Sequence, residues 1–181
     1  MLGQATLGTH HIDEARTIGQ QLRQLIERAG VVKHLRYYEH LMGQIAIAEG
    51  QPSRAVACHE LAISWLPCQT DIDDPHAFFY NGLAEAYNQG GNFTRALETY
   101  KKILSLTTGK LRWGDIYALS FYSMGKIYQR IGDIAAARSS YQSFLSVWED
   151  ADGGLPEVAD AKKQLETLGQ LPQAHAGGSI H

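Results

Sequence analysis

A chain of 181 residues that is 44% hydrophobic and 19% charged carries enough apolar mass for one sizeable core and is not of the disordered class. Its net charge of -3, with Lys and Arg scattered, excludes the basic stripe that nucleic-acid binding needs. No apolar run reaches the ~20 residues of a membrane helix, MLGQATLGTHH lacks the basic head and apolar core of a signal peptide, and Cys58 and Cys68 make no disulfide scaffold, so a cytoplasmic setting is expected.

The first segment, about 1–30, becomes legible against a later one. Shifted by 40 residues, Leu2-Gly3 falls on Met42-Gly43 and Ala15 on Ala55. This predicts a helical hairpin that starts midway through its first helix. A complete second helix is predicted from Ile12 to Ala29, carrying Ala15, Leu22, Leu25 and Ile26. With half a hairpin outermost, Leu22, Leu25 and Ile26 are expected to be poorly covered outward. This end is therefore expected to fray or self-associate, and the chain reads as the C-terminal part of a longer protein.

Three segments follow at a spacing of 41, over 34–67, 75–108 and 115–149. Gly50 lands on Gly91 and Gly132, Ala55 on Ala96 and Ala137, and Gly43 on Ala84 and Gly125. His59 lands on Tyr100 and Tyr141, and Ile63 on Leu104 and Leu145. LMGQIAIAEG, GLAEAYNQGG and SMGKIYQRIG are predicted first helices, each ended by a glycine that tolerates the left-handed backbone of a helix terminus. PSRAVACHELAISWL, FTRALETYKKILSL and IAAARSSYQSFLSVW are predicted second helices. The small residues are expected to meet one another across each hairpin, Gly43 with Ala55, Ala84 with Ala96 and Gly125 with Ala137, so that antiparallel helices cross closely. Tyr87, Tyr128, Tyr100 and Tyr141 would fill the space around the crossing. Asp115 reads as an N-cap and Trp113 as a seam residue. A last helix is predicted over 156–168, opened by Pro156, with Val158, Ala161, Leu165 and Leu168 inward and a polar back, as a capping helix needs. Residues 169–181 read as a flexible tail.

The repeated pattern resembles the tetratricopeptide repeat (TPR) family. The matching residues are Tyr80, Leu83, Ala84, Tyr87, Ala96 and Tyr100 in the third repeat, and Phe121, Met124, Gly125, Tyr128, Ala137 and Tyr141 in the fourth. The second matches at Met42, Gly43, Ala55 and Pro67, with Ala46 and His59 standing where the family has aromatics. The spacing exceeds the family's usual period of about 34 by close to two helical turns, which keeps the same face inward. Long-period repeats of this kind are similar to those of kinesin light chains and of large bacterial regulators. LTTGKLRWGDIYALSFYSMGKIYQRIGD and FLSVWEDADGGLPEVADAKKQLETL resemble the C-terminal repeat region of large bacterial proteins such as serine/threonine kinases, although no kinase motif is present here. The resemblance implies an all-α, right-handed superhelical solenoid of antiparallel hairpins over 1–168.

Chemistry is hard to find along the chain. His10-His11 lacks the Cys or carboxylate cluster of a zinc site. His34 and His40 miss the helical i, i+4 ligand spacing. His59 reads as a partly buried core histidine. Cys58 and Cys68 have no basic neighbour that would activate a thiol. TTGKL lacks the glycine and the Ser or Thr of a phosphate loop, and DDPH and WEDADGG lack calcium-loop spacing. No metal, cofactor or catalytic set is expected. The resemblance places a partner in the concave groove lined by the first helices. The groove positions are Tyr37, His40 and Gln44; Phe78, Asn81, Glu85 and Asn88; and Tyr122, Lys126 and Gln129. Amides, aromatics and single charges suit a peptide backbone. Glu85 at the centre speaks against capture of a C-terminal carboxylate. The expected function is a protein-interaction scaffold or sensor segment of a larger regulatory protein. The alternative is a small-ligand sensor, which an enclosed apolar pocket would favour.

Overall fold

Glycine and small polar residues punctuate the chain where helices stop and start. Gly50, Gly91 and Gly132 have φ of 68°, 74° and 83°, a backbone that costs a residue with a Cβ about 1 kcal/mol or more. Around each, the chain reverses through the same pair of bonds. Gln51 N–H donates to Ala46 C=O at 2.8 Å, Asn92 N–H to Tyr87 C=O at 2.9 Å, and Asp133 N–H to Tyr128 C=O at 2.9 Å. The glycine N–H groups donate to Ile47, Asn88 and Gln129. The turns thereby satisfy carbonyls that a helix end leaves open. The following helices are opened by Pro52, by the Asn92 side chain accepting from Arg95 N–H, and by the Asp133 side chain accepting from Ala136 N–H.

The computed structural model describes residues 9–67, 75–106, 113–148 and 155–170. Among these it is all-α, with no strand. The helices are α1 (Thr9–Ala29), α2 (Leu35–Ala48), α3 (Pro52–Ser64), α4 (His76–Gln89), α5 (Phe93–Ser105), α6 (Gly114–Ile131), α7 (Ile134–Val147) and α8 (Pro156–Gly169), with a 3₁₀ turn at Val32–His34. Leu2-Gly3, Cys68, Asp73, Asp74, the TTGKL segment, the acidic turn after Trp148 and the tail from Leu171 lie outside the described residues. The chain divides into two compact units, Met1–Ser120 and Phe121–His181.

In the N-terminal unit, α1 packs on α2 through Ile12, Met42 and Ile45, joined by Ala15, Tyr38, Leu41 and Cys58. Gly19 lets α1 approach closely: a Cβ there would lie 2.7 Å from the Met42 methyl. The Arg16 guanidinium pairs with Glu49, tying α1 to the end of α2. Ala46, Ala55 and Ala86 form one small-residue contact between α2, α3 and α4. Phe79, Tyr100 and Ile103 are fully enclosed. In the C-terminal unit, Ile127, Ala137, Tyr141 and Phe144 form the interior, and Val158, Ala161 and Leu168 of α8 are buried.

Three expectations need correction. At Gly43 and Gly125 the nearest neighbours are rings, not the small residues Ala55 and Ala137. A Cβ at Gly43 would lie 2.5 Å from His59 Nε2, and one at Gly125 2.8 Å from Tyr141 Cε1. Each bare backbone therefore lies against a ring with which an added Cβ would clash. Ile26 is buried, whereas Ile18 and Leu25 are the exposed apolar residues of α1, at 52% and 62%. Asp115 lies inside the first turn of α6, one residue after its start, where a carboxylate faces the positive helix end.

Ala96 is completely buried and Ala135 exposed. Ala96→Trp is expected to lower Tm by roughly 5–10 °C, since overpacking costs ~1–3 kcal/mol. Ala135→Trp is expected to leave Tm unchanged. Thermal melts followed by circular dichroism would check both, and equal effects would refute the packing described.

Candidate functional site

In the N-terminal unit the expected groove residues come from α2 and α4, whose helices pack against each other through Ala46 and Ala86. Tyr37 is 40% exposed, and Gln44, Phe78, Asn81, Glu85 and Asn88 are half-buried. Asn81, Glu85 and Asn88 recur at four and three residues, so they form one stripe along α4. The Asn81 amide donates to Glu85 at 3.1 Å, which orients both. Asn88 Oδ1 is buried and accepts no hydrogen bond from the described protein.

Beside this stripe runs a series of touching rings. His34 meets Tyr37 edge-on at 6.0 Å, Tyr37 meets Phe79 at 5.6 Å, and Phe79 meets Phe78 at 5.3 Å. Phe78 stacks on Trp113 at 5.8 Å with 28° between planes. The Arg36 guanidinium lies 4.9 Å over the Tyr37 ring. His40 sits beneath this surface rather than on it, against Phe78 at 4.1 Å and His59 at 4.9 Å. The structure thus joins Trp113 to the aromatic face. The sequence offered only its position before α6 as a sign of that.

The three groove residues of the C-terminal unit are engaged with α7 and α8. Tyr122 O–H donates to Asp160 Oδ2 at 2.6 Å. Gln164 donates to Asp160 Oδ1 at 3.1 Å, Gln129 donates to Gln164 at 2.9 Å, and Tyr141 O–H donates to Gln129 at 3.0 Å. Lys126 is exposed, its ammonium 5.3 Å over the Tyr122 ring. Bonds from Tyr122 and Gln164, with Lys126 and Lys163 nearby, hold the Asp160 carboxyl below the usual carboxylate range. Burial, together with the bond to Asp160, pushes the Tyr122 hydroxyl well above its ordinary value. Burial first and the Asp160 charge second push Tyr141 up to about 12. Lys126, Gln129, Arg130, Tyr141, Asp160 and Gln164 line a cleft of about 300 Å³. Asp160 and Gln164, spaced i, i+4 on the polar back of α8, are site residues that sequence reasoning missed.

Among the described residues no group of three or more His, Cys, Asp and Glu side chains could hold a metal ion. Burial pushes the Cys58 thiol up, the opposite of what a nucleophile needs. Among the described residues no helix is long and apolar enough to cross a membrane.

Residues 79–108 and 119–150 each match a model of the tetratricopeptide repeat. No curated protein matches the chain. Among solved structures it is similar to the crystal structure of BtubC (BKLC) from P. vanneervenii, with a TM-score of 0.68 and 20% identity. That likeness covers 91% of this chain and 66% of the other, and it shows a shared fold.

Asp160→Asn retains the shape of the Tyr122 contact and removes the charge that accepts it. A hydrogen bond to a charged group contributes about 1.5–3 kcal/mol, and the lower end applies at this partly exposed position. The variant is expected to melt roughly 3–6 °C lower at pH 7, with faster amide exchange in α8. The wild-type advantage belongs to the ionised carboxyl, whose folded pKa is depressed. It is full above the unfolded pKa near 4 and is lost as pH falls through the folded value. The two proteins should converge once pH has fallen through that folded value.

Proposed function

We propose that this chain, which carries tetratricopeptide repeats at 79–108 and 119–150, uses the α2–α4 face to hold an extended peptide segment of a protein partner. Tetratricopeptide repeats generally mediate protein–protein interaction and are generally not enzymes. The observation that carries the finer reading is the pairing of two recognition elements on one face. A stripe of polar side chains, Asn81, Glu85 and Asn88, runs beside the ring of Tyr37 and that of Phe78 stacked on Trp113, with Tyr37 and Phe78 both resting on the enclosed Phe79. An extended peptide presents backbone N–H and C=O groups to amides and every second side chain to an apolar surface. Glu85, already fixed by Asn81, favours a partner with a cation at that register. In the C-terminal unit, Lys126 and Gln129 line the cleft of about 300 Å³ and offer a separate polar contact, while Tyr122 is held by Asp160.

The partner reading is preferred to a small-ligand sensor because the cleft is rimmed by Lys126, Arg130, Asp160 and two glutamines rather than by apolar walls. Ile18 and Leu25, two turns apart on α1 and more than half exposed, support a place within a larger regulatory protein or self-association at this end. A cytoplasmic setting agrees with the two thiols.

Asn81→Ala combined with Asn88→Ala is expected to weaken a captured partner about 5- to 150-fold, at ~0.5–1.5 kcal/mol for each amide bond, without changing the melting curve. Titration calorimetry with a partner identified by cross-linking would measure this. Unchanged affinity in the folded double variant would move the site off this face.

A further inference from the structure

The slot occupied by Tyr100 and Tyr141 in the later hairpins is occupied by His59 in the earlier one. In the C-terminal unit the ring fits well: Tyr141 lies on bare Gly125 and its hydroxyl reaches Gln129. His59 is 0% exposed and gripped from two sides. A Cβ at Gly43 of α2 would lie 2.5 Å from its Nε2, and one at Gly82 of α4 would lie 2.5 Å from its Cε1 and 2.9 Å from its Nδ1. Both ring nitrogens are buried and make no hydrogen bond among the described residues. His40 packs edge-on against it, 4.9 Å away, with its own Nδ1 also unbonded. His40 also lies against the Phe78 and Phe79 rings.

Among the described residues no carboxylate is placed to stabilise a charged imidazole here. On α2, Glu39 turns to Cys58 and toward Arg23 of α1, and Arg36 lies over Tyr37. On α3, Glu60 accepts from Tyr87 and Arg54 pairs with Glu49. On α4, Glu85 accepts from Asn81, and His76 packs beside Tyr80. Nor is there room for a metal ion at His59, because its nitrogens abut glycine backbone.

We propose that His40 and His59 form an acid-sensitive latch, so that proton uptake by either ring loosens the α2–α3–α4 junction and opens the N-terminal unit on mild acidification. Two adjacent imidazoles cannot both carry charge in a dry contact, and one alone has no counter-ion there. Burial holds His59 down to about 4, and burial together with His59 holds His40 down to about 3. Protons therefore bind the open form. The closed form keeps its full advantage above the unfolded value near 6.5 and loses it as pH falls from there toward the folded values. At pH 5 the closed-to-open ratio should fall by about 30-fold for each ring, from one and a half pH units below 6.5. The latch acts on packing within this unit and does not depend on the partner proposed above.

The test is hydrogen exchange of the whole chain at pH 7.0 and 5.0, corrected for intrinsic rates, in wild type and in His59→Phe. In wild type, protection of α2–α4 amides is expected to drop by 30-fold or more, while α7 and α8 keep theirs. In His59→Phe, which keeps a ring of similar size on Gly43 and Gly82, the drop should shrink by about 30-fold. An equal loss in both proteins would overturn the proposal. Ring-proton titration of the wild type by NMR decides the matter even if the variant fails to fold. Two imidazoles that stay neutral in the closed form below pH ~6.5 and take up protons only as the α2–α4 amides lose protection support the latch, and titration of both near 6.5 with protection unchanged refutes it.

Discussion

A flat ring pressed on a helix that has no Cβ is the contact on which the hairpins depend. Wherever His59 and Tyr141 lie, the facing residue is Gly43 or Gly125, and a single added carbon would fall inside van der Waals contact. Methyl-sized residues then complete the crossing, as Ala46, Ala55 and Ala86 do in the N-terminal unit. The arrangement brings two helix backbones close while enclosing a large apolar face, combining dispersion contact with the burial that drives folding. In the N-terminal unit, polar and aromatic residues such as Tyr37, Asn81 and Glu85 stand exposed or half-buried on α2 and α4.

The two units solve the same problem with different chemistry. Tyr141 has a hydroxyl at its far end, and that hydroxyl finds Gln129 and through it Gln164 and Asp160. A tyrosine is apolar where it is gripped and polar where it emerges. His59 is polar on both edges and is gripped on both, so it gives up hydrogen bonds that tyrosine would keep. Stability alone does not account for histidine in this slot.

Much of the scaffold was legible in the sequence. Gly50, Gly91 and Gly132 recur at a fixed spacing because each must take up positive φ, and a backbone requirement shows directly in residue identity. Pro52 opens a predicted helix for an equally local reason, and Asn92 and Asp133 cap the next two second helices without having been singled out in the sequence. Long-range pairing was less legible. That Gly43 meets a ring rather than Ala55 depends on how two helices rotate about their axes, and side-chain size along the chain does not encode it. That His40 lies under Phe78, although its neighbours on the helix face outward, depends on α4 covering it. The bonds from Asp160 and Gln164 to α6 were hidden for another reason: polar residues on the back of an amphipathic helix look alike whether they meet water or a partner.

The hydrogen bonds that hold α8 have a direction, and it carries information. Tyr141 can only give its proton to the Gln129 oxygen, which leaves the Gln129 nitrogen to donate onward to the Gln164 oxygen, and the Gln164 nitrogen to Asp160. Tyr122 approaches the same carboxylate from the other side. Two donor lines thus run toward each other and end on the one group in the set that accepts without donating. Sliding α8 by one turn would bring an amide where the anion now stands and set donors face to face. The helix is keyed in register by the polarity of its contacts, as a plug is keyed by its pins, and shape alone would let it slip.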